Sequence, residues 1–254
     1  MPTFVHGKGT KVYLDEFDLT SYFNSADVTL TNETGEVTAF GDTSKAYLLG
    51  LADGTLTLSG MWSADTDGSD EELQALLGST TTPLITVARN VGTVGNSATL
   101  AKAHEINYSI SNPVADISTI TADFQGSTDA VSNLTYGITV GSQLLTGASS
   151  NVLDFPMSLA GVDNSASSAN GGVGVLHAPT NTIAGGTTTF KIQHDTVSNF
   201  ASAADLITFT AIAASTATSQ LVAVSGTVNR YVRATATTAG SSGNITTMVS
   251  FARF

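Results

Sequence analysis

The amino-acid sequence predicts a mainly β protein, for three reasons. Apolar and polar residues alternate in many segments, which places successive side chains on opposite faces of a strand. Threonine and valine, which favour strands, are abundant along the whole chain. Only one segment has a full set of helix start and stop signals. The alternation is clearest at 56–62, 106–110, 118–124, 190–192 and 245–253.

One short helix is predicted at the end of the acidic segment 65–72. Ser69 and Glu72 match a capping box, in which each side chain bonds the backbone amide of the other residue. Gly78 follows at a position where a helix can end. The apolar face is formed by Leu73, Leu76 and Leu77. These features predict a short helix that flanks the strands.

The length of 254 residues allows two β domains. Residues 126–150 and 161–172 are rich in Gly, Ser, Asn and Ala and have little apolar surface with which to pack. We therefore predict a first domain at 1–130, a linker at 131–150 and a second domain at 151–254.

The two halves of the chain are similar in places, which indicates a duplication. A Gly-Thr strand at 54–58 is similar to one at 186–190, and the segment 116–120 is similar to 244–248. A second helix is predicted at about 198–206, as in the first half. Its apolar face would be formed by Phe200, Ala203 and Leu206. The same order of elements in both halves predicts a repeated domain.

The composition is typical of a protein that makes many protein contacts. Charged residues make up only 12% of the chain, whereas about a quarter is usual in soluble domains. Protein interfaces are depleted of charged side chains, because removing these groups from water is costly. We therefore expect an assembly protein.

The charge of the chain is acidic and uneven. The formal net charge is −12; residues 1–126 contain 16 acidic and 5 basic residues, a net of −11, and residues 127–254 contain 5 and 4, a net of −1. A nucleic-acid-binding surface needs clustered Lys and Arg to neutralise phosphates. The sequence therefore predicts repulsion of DNA.

The chain contains no cysteine, which excludes disulfides, thiolate metal ligands and cysteine nucleophiles. Residues 1–4 do not begin a signal peptide, and there is no apolar run of membrane-spanning length. We expect a chain that is made and used in solution, without a membrane.

The acidic segment 65–72 resembles a calcium loop, because alternating carboxylates in a glycine turn can converge on a hard cation. Its Gly68 comes too early for an EF-hand loop. The favoured interpretation is a turn whose acidic residues complement the positive helix N-terminus. No metal site is predicted.

No catalytic or cofactor site is predicted either. The four histidines (His6, His104, His177 and His194) have no partner at ligand spacing. His104 and Glu105 are adjacent, so on a strand they would face opposite sides. Gly7-Lys8-Gly9-Thr10 lacks the upstream glycine of a phosphate loop, and there is no G-x-S-x-G motif. The protein is therefore expected not to be an enzyme.

The N-terminal half resembles the major tail tube proteins of siphophages. The residues that carry this resemblance are HGK at 6–8, FDLTSY at 17–22, VTAFGD at 37–42, KAYLLGLADG at 45–54 and TLTLSGMW at 55–62. It covers roughly the first 130 residues. Segments in the second half that look similar are KIQH at 191–194, VNRYVRA at 228–234 and VSFARF at 249–254.

The resemblance implies an antiparallel β-sandwich with a flanking helix and a structural role in the virion. Subunits would form rings that stack into the tail tube, through which double-stranded DNA passes without specific binding. Further partners would be other tail proteins, such as the tape measure and the tail terminator. The second half would be a tail-tube repeat, with three chains in a pseudo-hexameric ring, or an outward immunoglobulin-like domain, with six chains in a ring. The chain would be present in the host cytoplasm before assembly.

In this family, a long hairpin arm reaches the neighbouring ring, and the matching segment is about Thr34 to Asp53. Apolar residues in this segment have no obvious core, and exposed apolar clusters usually mark contacts. The residues predicted to make ring-to-ring contacts are Glu36, Phe40, Asp42, Lys45, Tyr47, Leu48 and Leu49. The alternative is a hairpin that folds back on its own sandwich.

Two other functions are kept as alternatives. One is a capsid or tail decoration protein. The other is a carbohydrate-binding β-sandwich module or hydrolase fragment, which would need exposed Trp and Tyr side chains or paired carboxylates. Trp62, the single tryptophan, lies on a strand with Leu56 and Leu58 and is predicted to be in the core.

Overall fold

The structure, a computed structural model, describes residues 6–127, 134–146, 152–155, 161–239 and 242–254. The described residues form antiparallel sheets and one α-helix, α1 (Ser69–Leu76), which confirms the predicted mainly β class. None of their helices is long and apolar enough to cross a membrane. The strands are β1 Lys11–Leu14, β2 Phe17–Asp18, β3 Phe23–Glu36, β4 Tyr47–Met61, β5 Leu84–Ala88, β6 Ser97–Ser111, β7 Thr119–Gly126, β8 Thr135–Thr146, β9 Val152–Phe155, β10 Val162–Asp163, β11 Gly172–Asn181, β12 Thr187–Asp195, β13 Ala204–Thr208, β14 Ile212–Ala213, β15 Thr218–Val224, β16 Tyr231–Thr238 and β17 Asn244–Arg253.

The chain folds into two compact units, each built from separate stretches of sequence. The sandwich unit consists of Met1–Ser21, Pro83–Leu100 and Thr135–Phe254, and the arm unit of Tyr22–Thr82 and Ala101–Leu134.

Two antiparallel sheets form the sandwich unit. The first has the order β15-β11-β17-β8-β6-β5-β1-β2, to which β6 contributes its first four residues. The second has the order β10-β16-β12-β13, with β9 paired to β16 and β14 to β12. The core contains side chains from both sheets, among them Val249 and Phe251 of β17 and Phe190 and Ile192 of β12. Burial of each side chain of this size stabilises the fold by about 1.5–3 kcal/mol. The two sheets with a shared core confirm the predicted β-sandwich.

The arm unit is one antiparallel sheet with the order β3-β4-β7-β6 and the helix α1. Alternate residues of β4 and β7 are buried, as period two predicts. The buried side chains include Leu56, Leu58, Ile120, Ala122 and Phe124. The helix contributes the buried Leu73 to this core, and its Asp70 accepts a hydrogen bond from Tyr108 of β6.

The predicted helix is present, but its predicted capping box is wrong. Gly68 is the N-cap, and no side chain caps this end. The Ser69 hydroxyl instead donates to the carbonyl oxygen of Met61 (3.0 Å) and accepts from the amide of Ser63 (3.2 Å). Ser69 therefore ties the helix to the end of β4. At the other end, Gly78 has a left-handed φ of +78°, as expected after a helix.

The second predicted helix, at 198–206, is wrong, because this segment is a turn followed by β13. The Asp195 carboxylate accepts hydrogen bonds from three backbone amides before and within this segment, which holds the chain in a turn. These are the amides of Thr196, Val197 and Ser202. Phe200 lies in the turn with φ +53° and a buried ring. Tertiary packing and the Asp195 turn therefore override the weak helical pattern.

The domain boundaries predicted from the sequence stay a prediction. The predicted linker, 131–150, contains β8, which pairs with β17 and β6 in the sandwich unit; its residues 131–133 and 147–150 lie outside the described residues. The two units are defined by contacts, so they do not test whether one half of the sequence repeats the other.

Candidate functional site, an exposed hairpin arm

A long hairpin extends from the sheet of the arm unit. Strands β3 and β4 pair from Phe23 opposite Gly60 to Glu36 opposite Tyr47. The pairing of β4 with β7 ends at Thr55, so the hairpin continues as a two-stranded ribbon beyond that point. Every residue from 29 to 53 is exposed. None of these residues is buried against other described residues of the chain.

Hydrogen bonds within the hairpin give its tip a defined shape. The Lys45 ammonium pairs with the Glu36 carboxylate at 3.1 Å. Glu36 also accepts from the Thr38 hydroxyl (2.9 Å), and Asp42 accepts from the amide of Ala39 (2.7 Å). An isolated two-stranded hairpin is marginally stable in water, so these bonds favour one conformation of the tip. Three of the predicted site residues, Glu36, Asp42 and Lys45, therefore lie together at the tip.

The other predicted site residues present apolar surface to solvent. Phe40 is fully exposed at the tip, and Tyr47, Leu48 and Leu49 are more than half exposed. Since side chains alternate along β4, Tyr47 and Leu49 lie on one face and Leu48 on the other. Leu51 is also exposed (78%), but the register of β3 and β4 shifts between Leu49 and Ala52, which interrupts the alternation before Leu51. Leu51 adds to the exposed apolar surface and is not among the residues predicted from the sequence.

The base of the hairpin is joined to the sheet at Gly54. The amide of Gln125 donates to the Asp53 carboxylate and to the carbonyl oxygen of Gly54 (3.3 Å). A Cβ at Gly54 would lie 2.9 Å from Leu30 and 3.2 Å from Leu134, so only glycine fits here without a shift. The exposed ribbon thus begins where this buried glycine ends the core.

Trp62 does not lie in the core, which corrects the prediction. Its side chain is 36% exposed. Trp62 follows the last residue of β4, and its amide donates to the carbonyl oxygen of Ser118 (3.0 Å). The alternation along β4 ends at this point, because the strand itself ends.

Glu105 of β6 is a buried carboxylate in the arm unit. Neither of its oxygens has a hydrogen-bond partner among the described residues. A register shift between Glu105 and Asn107 leaves Ile106 unpaired, so that Glu105, opposite the buried Phe124, faces the core. Burial raises the pKa of Glu105 to about 8. Glu105 is buried and His104 is exposed, as predicted for neighbours on a strand.

His177 of β11 is buried in the sandwich unit and stacks on Tyr13. Its Nδ1 lies 2.6 Å from the carbonyl oxygen of Asp15, and its Nε2 lies 2.7 Å from the hydroxyl oxygen of Thr86. A carbonyl oxygen can only accept, so Nδ1 carries the proton and Nε2 accepts from Thr86. Burial lowers the pKa of His177 to about 4. Both ring nitrogens are used within the fold.

We expect the sandwich unit to lose stability as the pH falls from about 6.5 to 4. The unfolded chain binds a proton at His177 before the folded chain does, because the folded pKa is lowered. The loss should be on the order of 3 kcal/mol. Hydrogen exchange of β11 and β17 amides at pH 7, 5 and 4 measures it. His177→Gln should remove most of this pH dependence, whereas the exposed His104→Gln should retain it; an unchanged profile in His177→Gln would contradict the assignment.

The acidic segment before α1 brings three carboxylates together. Ligand oxygens of Asp67, Glu71 and Glu72 lie within 4.8 Å of one another. Glu71 also accepts from the amide of Asp67 (3.1 Å), as expected for an acidic turn at a helix N-terminus. The prediction that no metal binds here stays a prediction.

No protein-family model matches the chain, and no curated protein matches it. Among solved structures, a chain in the virion of a native gene transfer agent particle is similar, with a TM-score of 0.41 and 13% identity over 52% of this chain and 98% of that chain. A chain in the tail of an empty gene transfer agent particle, refined with C6 symmetry, is similar to the same extent. The SPP1 Dit protein, a hub of the adsorption apparatus, has a TM-score of 0.36 and 14% identity over 96% of this chain and 99% of that chain. These TM-scores are all below 0.5, so these similarities do not indicate a function for this chain.

Proposed function

We propose that this chain is a structural virion protein that assembles into stacked rings and forms the tail tube of a long-tailed bacteriophage. The observation that supports this most directly is the exposed arm, Thr34 to Asp53. This segment resembles the ring-to-ring arm of siphophage tail tube proteins. It is also a preformed hairpin whose large apolar side chains contact no core.

The arm has the chemistry of a protein contact. Exposed apolar side chains in a cluster usually mark an interaction site, and aromatic anchors contribute strongly to interfaces. Phe40 and Tyr47 would be such anchors, with Leu48 and Leu49 beside them. The Lys45–Glu36 ion pair is exposed, so it stabilises the hairpin only weakly. Its main effect would be to hold the tip in a binding conformation, which lowers the entropy lost on assembly.

We also propose that the protein is not an enzyme and binds no cofactor or metal. Glu105 and His177 are buried groups with strongly shifted pKa values; they lie in different units and are enclosed by the fold. Shifted pKa values often indicate catalytic groups, but burial in a structural core also produces them. Here the engaged ring nitrogens of His177 and the enclosed position of Glu105 support the structural explanation.

The proposed rings could contain either three or six chains. Three chains would form a pseudo-hexameric ring if both halves of the sequence line the channel. Six chains would form the ring if the second half faces outward as an immunoglobulin-like domain. Counting the chains per ring in an assembled tube distinguishes these arrangements.

Two rival functions predict different behaviour of the purified protein. A decoration protein would bind preformed capsids or tails without forming tubes. A carbohydrate-binding module is favoured by one observation, the exposure of Trp62, since sugars stack on exposed aromatic rings. Tail tube subunits would instead bind other tail proteins, such as the tape measure and the tail terminator, in the host cytoplasm before entering the virion.

Electron microscopy of the purified protein tests the proposal. Raising the concentration should convert subunits into long hollow tubes with a regular axial repeat. A protein that stays monomeric at every concentration and binds glycans would overturn the proposal. A protein that binds to completed particles but never polymerises would indicate decoration instead.

We expect the inner wall of such a tube to be acidic. The acidic residues lie mainly in 1–126, where the net charge is −11, and a wall of like charge repels the phosphates of passing DNA. Mapping the charged side chains in a reconstruction of the tube measures this. A predominantly basic inner wall would be inconsistent with free passage of DNA and would contradict the prediction.

A further inference from the structure

The arm unit has a second exposed apolar surface, at the opposite end of its sheet from the arm. Strand β4 runs from Tyr47 in the arm to Met61, which is 15 residues, or about 45–50 Å at the usual rise of a strand. Met61 pairs with Thr119 at the start of β7, beside the turn 112–118 that joins β6 to β7. This turn and Trp62 therefore lie at the far end of the sheet.

The far-end surface is formed by Trp62, Ile110, Val114 and Ile117, and each of these side chains is exposed. Val114 is fully exposed in the turn, and Ile117 is 64% exposed. The backbone around them is defined by hydrogen bonds. The Trp62 amide donates to Ser118, and the Asp116 carboxylate accepts from the amide of Ile117 (2.7 Å). Large apolar side chains held outward in this way are poorly placed for a free solvated turn.

The apolar area of the far end is close to that of a stable contact. The exposed apolar side chains of the far end amount to about 400 Å², and those on the two faces of the arm together to about 700 Å², at roughly 170 Å² for a fully exposed side chain. Stable interfaces bury about 800 Å² on each partner, of which a little over half is apolar. The arm side chains concerned are Val37, Phe40, Tyr47, Leu48, Leu49 and Leu51.

We infer that the arm of one copy docks on the far-end surface of a second copy of this chain. This inference rests on the proposed function and names the surface that receives the arm. The two surfaces differ from each other and lie at opposite ends of one sheet, so the contact is heterologous. Each copy then keeps one free arm and one free far end. A heterologous contact closes into a ring or repeats along an axis, according to its rotation; with the two surfaces at opposite ends of one sheet, we expect it to repeat along an axis.

Electrostatics gives this contact a characteristic dependence on salt. The segment 34–53 has three acidic residues and one basic residue, a net of −2. The far end has Asp116 in the turn and Asp65 and Asp67 after Trp62. Like charges therefore approach each other when the surfaces meet, and salt screens their repulsion. Association should strengthen as the salt concentration rises.

A mixing experiment with two variants tests the pairing. The arm variant is Phe40→Ser with Leu49→Ser, and the far-end variant is Val114→Ser with Ile117→Ser. All four side chains are exposed, so both variants should fold, which circular dichroism checks. Sedimentation of each variant alone should show association at least about tenfold weaker than that of the wild type. An equimolar mixture should form complexes of two copies that do not grow. In each complex, the one functional arm is bound to the one functional far end, so no functional surface is left for a third copy.

The possible outcomes test the pairing of arm and far end separately from the tail tube proposal. If the far-end variant alone associates like the wild type, the arm binds elsewhere and the inference is wrong. If the mixture forms no complex, arm and far end do not pair. A control with Val197→Ser, an exposed apolar residue of the sandwich unit, should associate normally. A wild type that forms short stacks but no tubes, together with complexes in the mixture, would remove the tail tube proposal and leave the pairing intact.

Discussion

Deletion of the arm should abolish tube assembly and leave the fold intact. Removing Thr34 to Asp53 joins Glu33 to Gly54, and Gly54 pairs with Leu30 in the sheet. The remaining residues 31–33 then form a three-residue hairpin connection, which is a common length. No residue of the deleted segment is buried, so the free energy of unfolding should change by less than about 1 kcal/mol. Electron microscopy and urea denaturation measure the two effects.

Point variants separate the contact from the shape of the hairpin. Phe40→Ser, Leu48→Ser and Leu49→Ser should each weaken assembly, because they remove apolar contact area and keep the backbone. Lys45→Gln should have a smaller effect, since an exposed ion pair contributes little. Normal tubes from the deletion variant would show that the arm is not the ring-to-ring contact.

Replacement of Glu105 should remove a pH dependence of the arm unit. The folded pKa of Glu105 is about 8 and the ordinary value is 4.5. Between these values the unfolded chain releases the proton that the folded chain keeps, so stability falls as pH rises from about 4.5 to 8. At pH 8 the buried carboxyl therefore destabilises the unit, by an amount on the order of 2 kcal/mol or more.

Glu105→Gln should flatten this profile and raise the stability at pH 8. Urea denaturation between pH 5 and pH 8 measures the effect, with fluorescence of the single tryptophan as the signal. Trp62 lies in the arm unit, so its fluorescence reports on that unit separately. Glu33→Gln, at an exposed carboxylate, is the matched control and should keep the wild-type profile. If the free energy of unfolding changes with pH in the same way in Glu105→Gln and in the wild type, Glu105 does not titrate in this range.

The two pH effects have opposite signs because the buried groups differ in charge type. Burial disfavours the charged form in both cases, which raises the pKa of a carboxyl and lowers that of an imidazole. Acid is therefore expected to weaken the sandwich unit through His177, and alkali to weaken the arm unit through Glu105. A single midpoint of unfolding would not describe such a chain, and each unit has to be followed by its own signal.

Several features could be predicted from the sequence because they depend on neighbours along the chain. The period of two places Leu56, Leu58 and Phe124 in the core whatever the strands pair with. The helix at Ser69–Leu76 follows from its leucine spacing and from Gly78. The arm is expected from the resemblance of this segment to that of siphophage tail tube proteins, and the apolar residues Phe40 and Leu49 between glycine turns agree with an exposed contact segment.

Other features depend on residues that are distant in sequence, and only the tertiary structure decides them. Each unit contains separate stretches of the sequence, because strands from remote segments pair with each other. Examples are β1 with β5 and β8 with β17. The turn at Phe200 depends on the Asp195 carboxylate, and the exposure of Trp62 depends on where β4 ends. The burial of Glu105 results from a register shift against β7. Local periodicity determines which face a side chain occupies, but what covers that face is set by long-range packing.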